Sequence, residues 1–141
     1  MINDGLKLKG KLAISLNGKI IQEVDNLVVT AGKGYVASRM KDTTATAMSH
    51  MAIGSGSTAA AASDTALGIQ LGRVALTSTT VSNAVVTYVA SFPAGTGTGA
   101  VTEAAILNAS SGGTMLCRTV FSVVNKGASD SMTVTWTVTV S

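Results

Sequence analysis

The segment Met132-Thr-Val-Thr-Trp-Thr-Val-Thr-Val140 decides the fold class, because apolar and polar side chains alternate along all of it. Successive side chains of a β-strand point to opposite faces, so this period of two predicts a strand with one apolar face and one threonine face. Trp136 lies in the middle of the apolar face, between Val134 and Val138. We therefore predict that Trp136 is a core residue.

A β-hairpin is predicted near the start of the chain. Two strand-like runs, at residues 12–16 and 19–24, flank Asn17-Gly18. Asn-Gly is the preferred pair for a two-residue type I′ turn, because both positions need positive φ. A further strand is predicted at residues 26–30, and Thr30 is expected to cap a short helix at residues 31–40.

Short apolar runs continue to the end of the chain, separated by turns rich in Gly and Ser. The predicted strands lie at residues 48–53, 70–78, 84–92, 101–107, 114–124 and 132–140. Residues 54–63 form a loop of small side chains with no capacity to build a core. Strands at about ten-residue spacing predict a mainly β protein, an antiparallel, jelly-roll-like β-sandwich with one short helix.

Charge is distributed unevenly along the chain. Residues 1–42 hold seven Lys or Arg and four Asp or Glu, whereas residues 43–141 hold three of each sign. We therefore divide the chain into a basic N-terminal hairpin and short helix (1–42), part of the same fold, and an uncharged β-sandwich body (43–141). About a quarter of the residues in a soluble domain are normally charged. A surface with so little charge is poorly protected against association, which predicts a homo-oligomer.

The sequence contains no recognisable catalytic or metal-binding constellation. His50 is the only histidine, so we expect a structural role for it, no enzymatic activity, no metal and no cofactor. Glu103 and Asp130 are expected to lie near turns, in contact with solvent. Cys117, the only cysteine, is expected to act as a small hydrophobic residue within a strand.

Two glycine-rich segments, Gly54-Ser-Gly-Ser57 and Gly95-Thr-Gly-Thr-Gly99, could be mistaken for phosphate-binding loops. Neither has the Gly-Lys-Ser/Thr ending or the strand-to-helix context of such a loop, so both are predicted to be turns. No apolar run approaches the roughly 18 residues of a membrane span. The first nine residues lack the apolar region of a signal peptide.

Lys7, Lys9 and Lys11 alternate along the first strand and predict a basic face. Phosphate groups could contact such a face, but no aromatic residue accompanies it to stack on bases. Nucleic acid is therefore not expected as a partner. We predict instead that these lysines dock on an acidic protein surface.

Several blocks of the sequence, read together, resemble small virion structural proteins of tailed bacteriophages and prophages. The blocks are Asn26-Leu-Val-Val-Thr-Ala-Gly-Lys33, Met48-Ser-His-Met-Ala-Ile-Gly-Ser-Gly-Ser-Thr58, Asp64-Thr-Ala-Leu-Gly68, Gly97-Thr-Gly-Ala-Val-Thr-Glu-Ala-Ala-Ile-Leu-Asn108 and Gly113-Thr-Met-Leu-Cys-Arg-Thr-Val-Phe121. The resemblance implies a protein of the virion, assembled in the host bacterial cytoplasm, that forms a homo-oligomer, most simply a trimer. It implies no catalytic or ligand-binding residues.

Proteins of this kind occur as capsid decoration (cement) proteins and as tail-fibre, tail or baseplate components. A single module without repeats or coiled-coil heptads favours a decoration protein that docks on the major capsid protein and stabilises the shell. A tail component involved in host attachment remains the alternative. A carbohydrate-binding module is less favoured, because the five aromatic residues lie mostly on strand patterns and leave no platform for sugar stacking.

Overall fold

A computed structural model of the chain describes residues 5–41 and 45–141. Within these residues the chain forms nine strands and one helix: β1 (Leu8–Leu16), β2 (Lys19–Val28), α1 (Thr30–Lys41), β3 (His50–Gly54), β4 (Gln70–Ala75), β5 (Ser78–Ser82), β6 (Val85–Phe92), β7 (Gly99–Leu107), β8 (Met115–Lys126) and β9 (Met132–Val140). The predicted mainly β class with one short helix is confirmed. None of the helical structure in the described ranges is long and apolar enough to cross a bilayer.

The strands form one antiparallel sheet, in the order β4-β3-β7-β8-β2-β1-β9-β6-β5, that curls over on itself. Strand β2 makes the bend, because most of it pairs with β1 while only Leu27 and Val28 pair with β8. On the opposite side, Leu76 and Thr77 carry the chain from β4 to β5. The Leu76 N–H donates to the Ser49 carbonyl and the Thr77 N–H to the Val89 carbonyl. The two halves of the sheet therefore face each other as a sandwich.

The core lies between the two halves and is mainly aliphatic. The apolar face predicted for the final strand points into it, as does the face of β6 that carries Tyr88, Ala90 and Phe92, and Trp136 is fully buried as predicted. Asn17 and Gly18 have φ values of 50° and 83°, which confirms the predicted positive-φ turn between β1 and β2. These local predictions succeed because strand alternation and turn chemistry act over only a few residues.

Two strand assignments differ from the sequence prediction by more than a shift of a strand end. The strand predicted at residues 26–30 is the end of β2, which runs without interruption from Lys19 to Val28. The strand predicted at residues 70–78 ends at Ala75, and β5 is a separate strand that the pattern missed. All five residues of β5 are exposed. The strand has no buried face, so its sequence shows no alternation of apolar and polar residues.

The N-terminal segment is central to the sheet. Strands β1 and β2 lie between β8 and β9, so residues from both sides of the proposed 42/43 division build the sandwich. The division itself lies outside the described residues, as do residues 1–4. The basic hairpin is thus two central strands with one face in the core.

Candidate docking site and buried charge cluster

The three lysines predicted to dock lie along the first strand. Lys9 and Lys11 are exposed on β1, and Lys7 is exposed just before it. The backbone of Lys7 extends the ladder, because its N–H donates to the Ser141 carbonyl at 2.7 Å and its carbonyl accepts from the Ser141 N–H at 2.9 Å. Alternation therefore places all three side chains on the same face of the strand.

The surroundings of these lysines divide them into two sets. Lys11 lies opposite Asp25 on β2, and its Nζ is 3.9 Å from Glu23 Oε2, an exposed pair. Lys7 instead lines a cleft beneath α1, together with Lys33 of the helix. Lys9 belongs to both surroundings, because it lines this cleft and also a second pocket that contains Lys11 and Asp25. No local sequence pattern marks Lys33, because it is near Lys7 and Lys9 only after α1 folds across the strands.

The main departure from the sequence analysis is a buried charge cluster. Glu103 on β7 is 0% exposed and Arg118 on β8 is 2% exposed, so the expectation that Glu103 is solvated near a turn is wrong. Arg118 Nη2 is 2.9 Å from Glu103 Oε1, and Arg118 Nη1 is 2.9 Å from Asp64 Oδ2. Arg118 Nη2 also donates to the Thr58 carbonyl at 3.0 Å. Charges buried in this way need both ion pairing and hydrogen bonding to offset their desolvation.

The Glu103 carboxylate also binds the backbone of the loop between β3 and β4. It accepts N–H groups from Gly56 at 2.6 Å, Gly68 at 2.8 Å and Ile69 at 2.9 Å. Burial alone would raise the pKa of Glu103. The N–H groups of Ile69 and Gly68, the Arg118 guanidinium and the Gly56 N–H outweigh burial and lower that pKa below its ordinary value. Glu103 is therefore ionised at neutral pH.

Glycine is required where this loop approaches Glu103. A Cβ at Gly56 would collide with the carboxylate, and a Cβ at Gly54 would collide with the Ile69 carbonyl and crowd Glu103. The Gly54–Ser57 segment thus does bind an anion through a backbone N–H, but that anion is the protein's own Glu103. The second glycine-rich segment forms a turn, with positive φ at Gly95, Gly97 and Gly99.

The loop of small residues is a cover for the sheet. A second buried cluster lies apart from the main core, and Leu67 packs against it; its members are Val29, Ala52, Ala105, Leu107 and Met115. Small side chains let the loop backbone come close enough to the sheet to donate to Glu103 and to accept from Arg118 and Thr102. The loop lacks the large side chains of a core, as predicted, and hydrogen bonds to buried charges hold it in place.

Burial removes three of the six charged side chains of the body from its surface. Besides Glu103 and Arg118, Lys126 is only 1% exposed, and its Nζ donates to the Pro93 and Asp130 carbonyls. Arg73 Nη1 donates to the carbonyls of Ala109 and Gly112. From Val74 to Thr102 the sequence has no charged residue, and this stretch includes all of β5 and β6.

The other residues considered for chemistry occupy separate places. Asp130 lies in the turn before β9, as expected, where its carboxylate accepts from Asn17 Nδ2 and the Gly127 N–H. His50 begins β3, with Nδ1 2.8 Å from Ser49 Oγ. Cys117 is buried in the main core, and burial raises the pKa of its thiol. Within residues 5–41 and 45–141, no group of three or more His, Cys, Asp or Glu is arranged to hold a metal ion.

Comparison of the chain with protein-family models, with curated proteins and with solved structures gives no significant match.

Proposed function

We propose that this chain is a non-enzymatic structural protein of a tailed-phage virion, in which it decorates the capsid by docking on the major capsid protein and stabilises the shell. The observation that carries this proposal is the outer surface of the body, which has very little charge because the sequence supplies only six charged residues after residue 42 and Glu103, Arg118 and Lys126 are buried. Such a surface suits permanent contact with neighbouring proteins. The buried charges contribute to the structure, because Glu103 and Arg118 pair with each other and bind the backbone of the loop between β3 and β4.

Localisation in the particle tests this proposal and separates it from a role in the tail. The experiment is to purify particles produced from the genome that encodes the chain and to map an antibody fragment against it by electron microscopy. Density in a regular array on the shell is expected. Label confined to the tail would replace decoration with the tail-fibre, tail or baseplate alternative, and absence of the protein from the particles would reject both.

Self-association, proposed as a trimer, is expected from the same surface. Strand β5 is an edge strand that pairs only with β6, and it has no charged residue, proline or bulge to block a further strand. Light scattering at micromolar concentration should therefore give about three times the 14.1 kDa mass of one chain. Thr80→Lys, which places a charge on this edge, should reduce the mass while circular dichroism stays unchanged. A monomer in the unmodified protein would contradict the prediction.

Docking on the particle should depend on Lys7, Lys9 and Lys11. Replacing all three with Glu should reduce occupancy on particles that lack the native protein, because repulsion replaces attraction to an acidic partner. Added salt should mimic part of the loss, since exposed charges are screened over about 8 Å at physiological ionic strength. Lys19→Glu, at the opposite end of the hairpin, is the matched control. Equal occupancy of the triple variant and the native protein at low salt would show that the uncharged surface makes the contact.

A further inference from the structure

An apolar cleft lies between α1 and the paired ends of β1 and β9. Its first compartment has a volume of about 480 Å³. A second compartment of about 380 Å³ continues toward β5 and β6. Leu8, Val36 and Val140 line both compartments, so the two form one continuous groove.

The walls of this cleft expose large apolar side chains to solvent. Leu6 is 72% exposed and Met40 is 79% exposed, and both line the first compartment. Val81, which is 71% exposed, lines the second. On α1, Lys33, Val36, Ala37 and Met40 follow helical i, i+3, i+4, i+7 spacing, so one face of the helix forms a wall of the cleft. An apolar groove of this size is suited to side chains from a partner.

The charged residues that line the cleft within the described part of the chain all have one sign. Lys7, Lys9 and Lys33 line the first compartment and Arg39 lines the second, and the described lining residues include no Asp or Glu. Arg39 Nη1 donates to the Ala45 carbonyl, a neutral acceptor that leaves its positive charge in place. This arrangement differs from that of Lys11, whose neighbours are Glu23 and Asp25. An occupant must therefore offer apolar side chains for the floor and carboxylates for the rim.

We propose that this cleft binds an acidic segment of a partner protein that also carries apolar side chains. This inference rests on the proposed function, for which it names the docking element and the chemistry of the partner segment. The floor is preformed, because hydrogen bonds between Lys7 and Ser141 tie the start of the chain to the end of β9. Apolar contact with Leu8, Val36 and Val140 supplies affinity. The four cations select acidic sequences and speed association.

Binding of model peptides to the full chain tests the inference. The probes are three fluorescein-labelled 12-residue peptides: one of Leu and Glu, one of Leu and Lys, and one of Ser and Glu. Fluorescence anisotropy measures Kd at low and physiological salt, and methyl NMR shifts locate the site. The Leu/Glu peptide should bind most tightly and should shift the methyl signals of Leu8, Val36 and Met40. Comparable binding of the Ser/Glu peptide would show that charge alone acts and would overturn the proposal.

Charge-reversal variants provide the matched comparison. The double variant Lys7→Glu and Lys33→Glu should raise the Kd of the Leu/Glu peptide about tenfold. Each exposed pair between a lysine and a peptide carboxylate contributes up to about 1 kcal/mol, and a loss of about 1.4 kcal/mol corresponds to tenfold. Lys19→Glu is the control, because Lys19 lies at the turn end of the β1–β2 hairpin. At roughly 3.3 Å per residue it is about 25 Å from the cleft, so this substitution should leave Kd unchanged. Equal weakening by Lys19→Glu would mean that net charge, and not the cleft, determines binding.

The remaining outcomes separate this inference from the proposed function. If the cleft methyl signals shift with protein concentration in the absence of peptide, a second copy covers the cleft and the proposal is overturned. If none of the peptides binds but the protein is found on the particle, the inference fails while the proposed function stands. If the Leu/Glu peptide binds at the cleft but the protein is absent from particles, the assignment to a virion fails and the cleft remains a site for acidic apolar segments.

Discussion

Trp136→Ala should lower the free energy of unfolding by about 3–5 kcal/mol, the range for removal of a large buried aromatic side chain. Trp136 is 0% exposed and lies in the main core. Its indole N–H also donates to Asn26 Oδ1 at 2.8 Å. Asn26 reaches inward across Gly10, where a Cβ would collide with its side chain. The alanine variant therefore loses packing and also leaves the Asn26 carbonyl oxygen without its indole donor.

Urea denaturation at one fixed protein concentration measures this loss, because oligomerisation would make apparent stability depend on concentration. Trp136→Phe is the matched variant, since it keeps an aromatic ring in the core and removes the hydrogen bond. Its loss should be smaller than that of the alanine variant. A loss within about 0.5 kcal/mol for Trp136→Ala, typical of surface substitutions, would contradict the placement of this side chain.

Glu103→Gln should lower the free energy of unfolding by a comparable amount, about 3–5 kcal/mol, because it breaks a buried ion pair and leaves Arg118 with one carboxylate partner fewer. The amide also offers only one acceptor oxygen to the three loop N–H groups that now share a carboxylate. The loop should therefore open more often. Hydrogen exchange should become faster at Gly56, Gly68 and Ile69 than in the unmodified protein.

Glu23→Gln is the control for this substitution, because Glu23 is an exposed glutamate whose ion pair with Lys11 is solvated. Its effect on unfolding should stay within about 0.5 kcal/mol. Equal effects of the two substitutions, or unchanged exchange at the loop amides, would show that Glu103 does not hold the loop.

The dependence of stability on pH provides a second test of the role of Glu103. Its pKa is lowered in the folded protein, so its contribution to stability is fully present above its unfolded pKa of about 4.3 and is lost as the pH falls through the folded pKa. The unmodified protein should thus lose stability below about pH 4.3. In Glu103→Gln this part of the acid dependence should be absent, because no carboxylate remains to be protonated.

The sequence by itself determined the features that depend on neighbouring residues. The final strand and the Asn17-Gly18 turn follow from patterns a few residues long, because side-chain direction in a strand and φ in a turn are local properties. The burial of Trp136 follows from the same alternation. The difference in charge between residues 1–42 and residues 43–141 is also visible directly in the sequence.

Tertiary structure alone decided the position of Glu103, the separate strand β5 and the cleft. Glu103 is bound by Arg118, 15 residues away in the chain, and by the Gly56 N–H, 47 residues away. The sparse and balanced charges of residues 43–141, three of each sign, are the sequence signal of pairing between them. The three loop amides leave no such trace, because every residue except proline carries a backbone N–H and only the folded chain determines which of them meet a carboxylate.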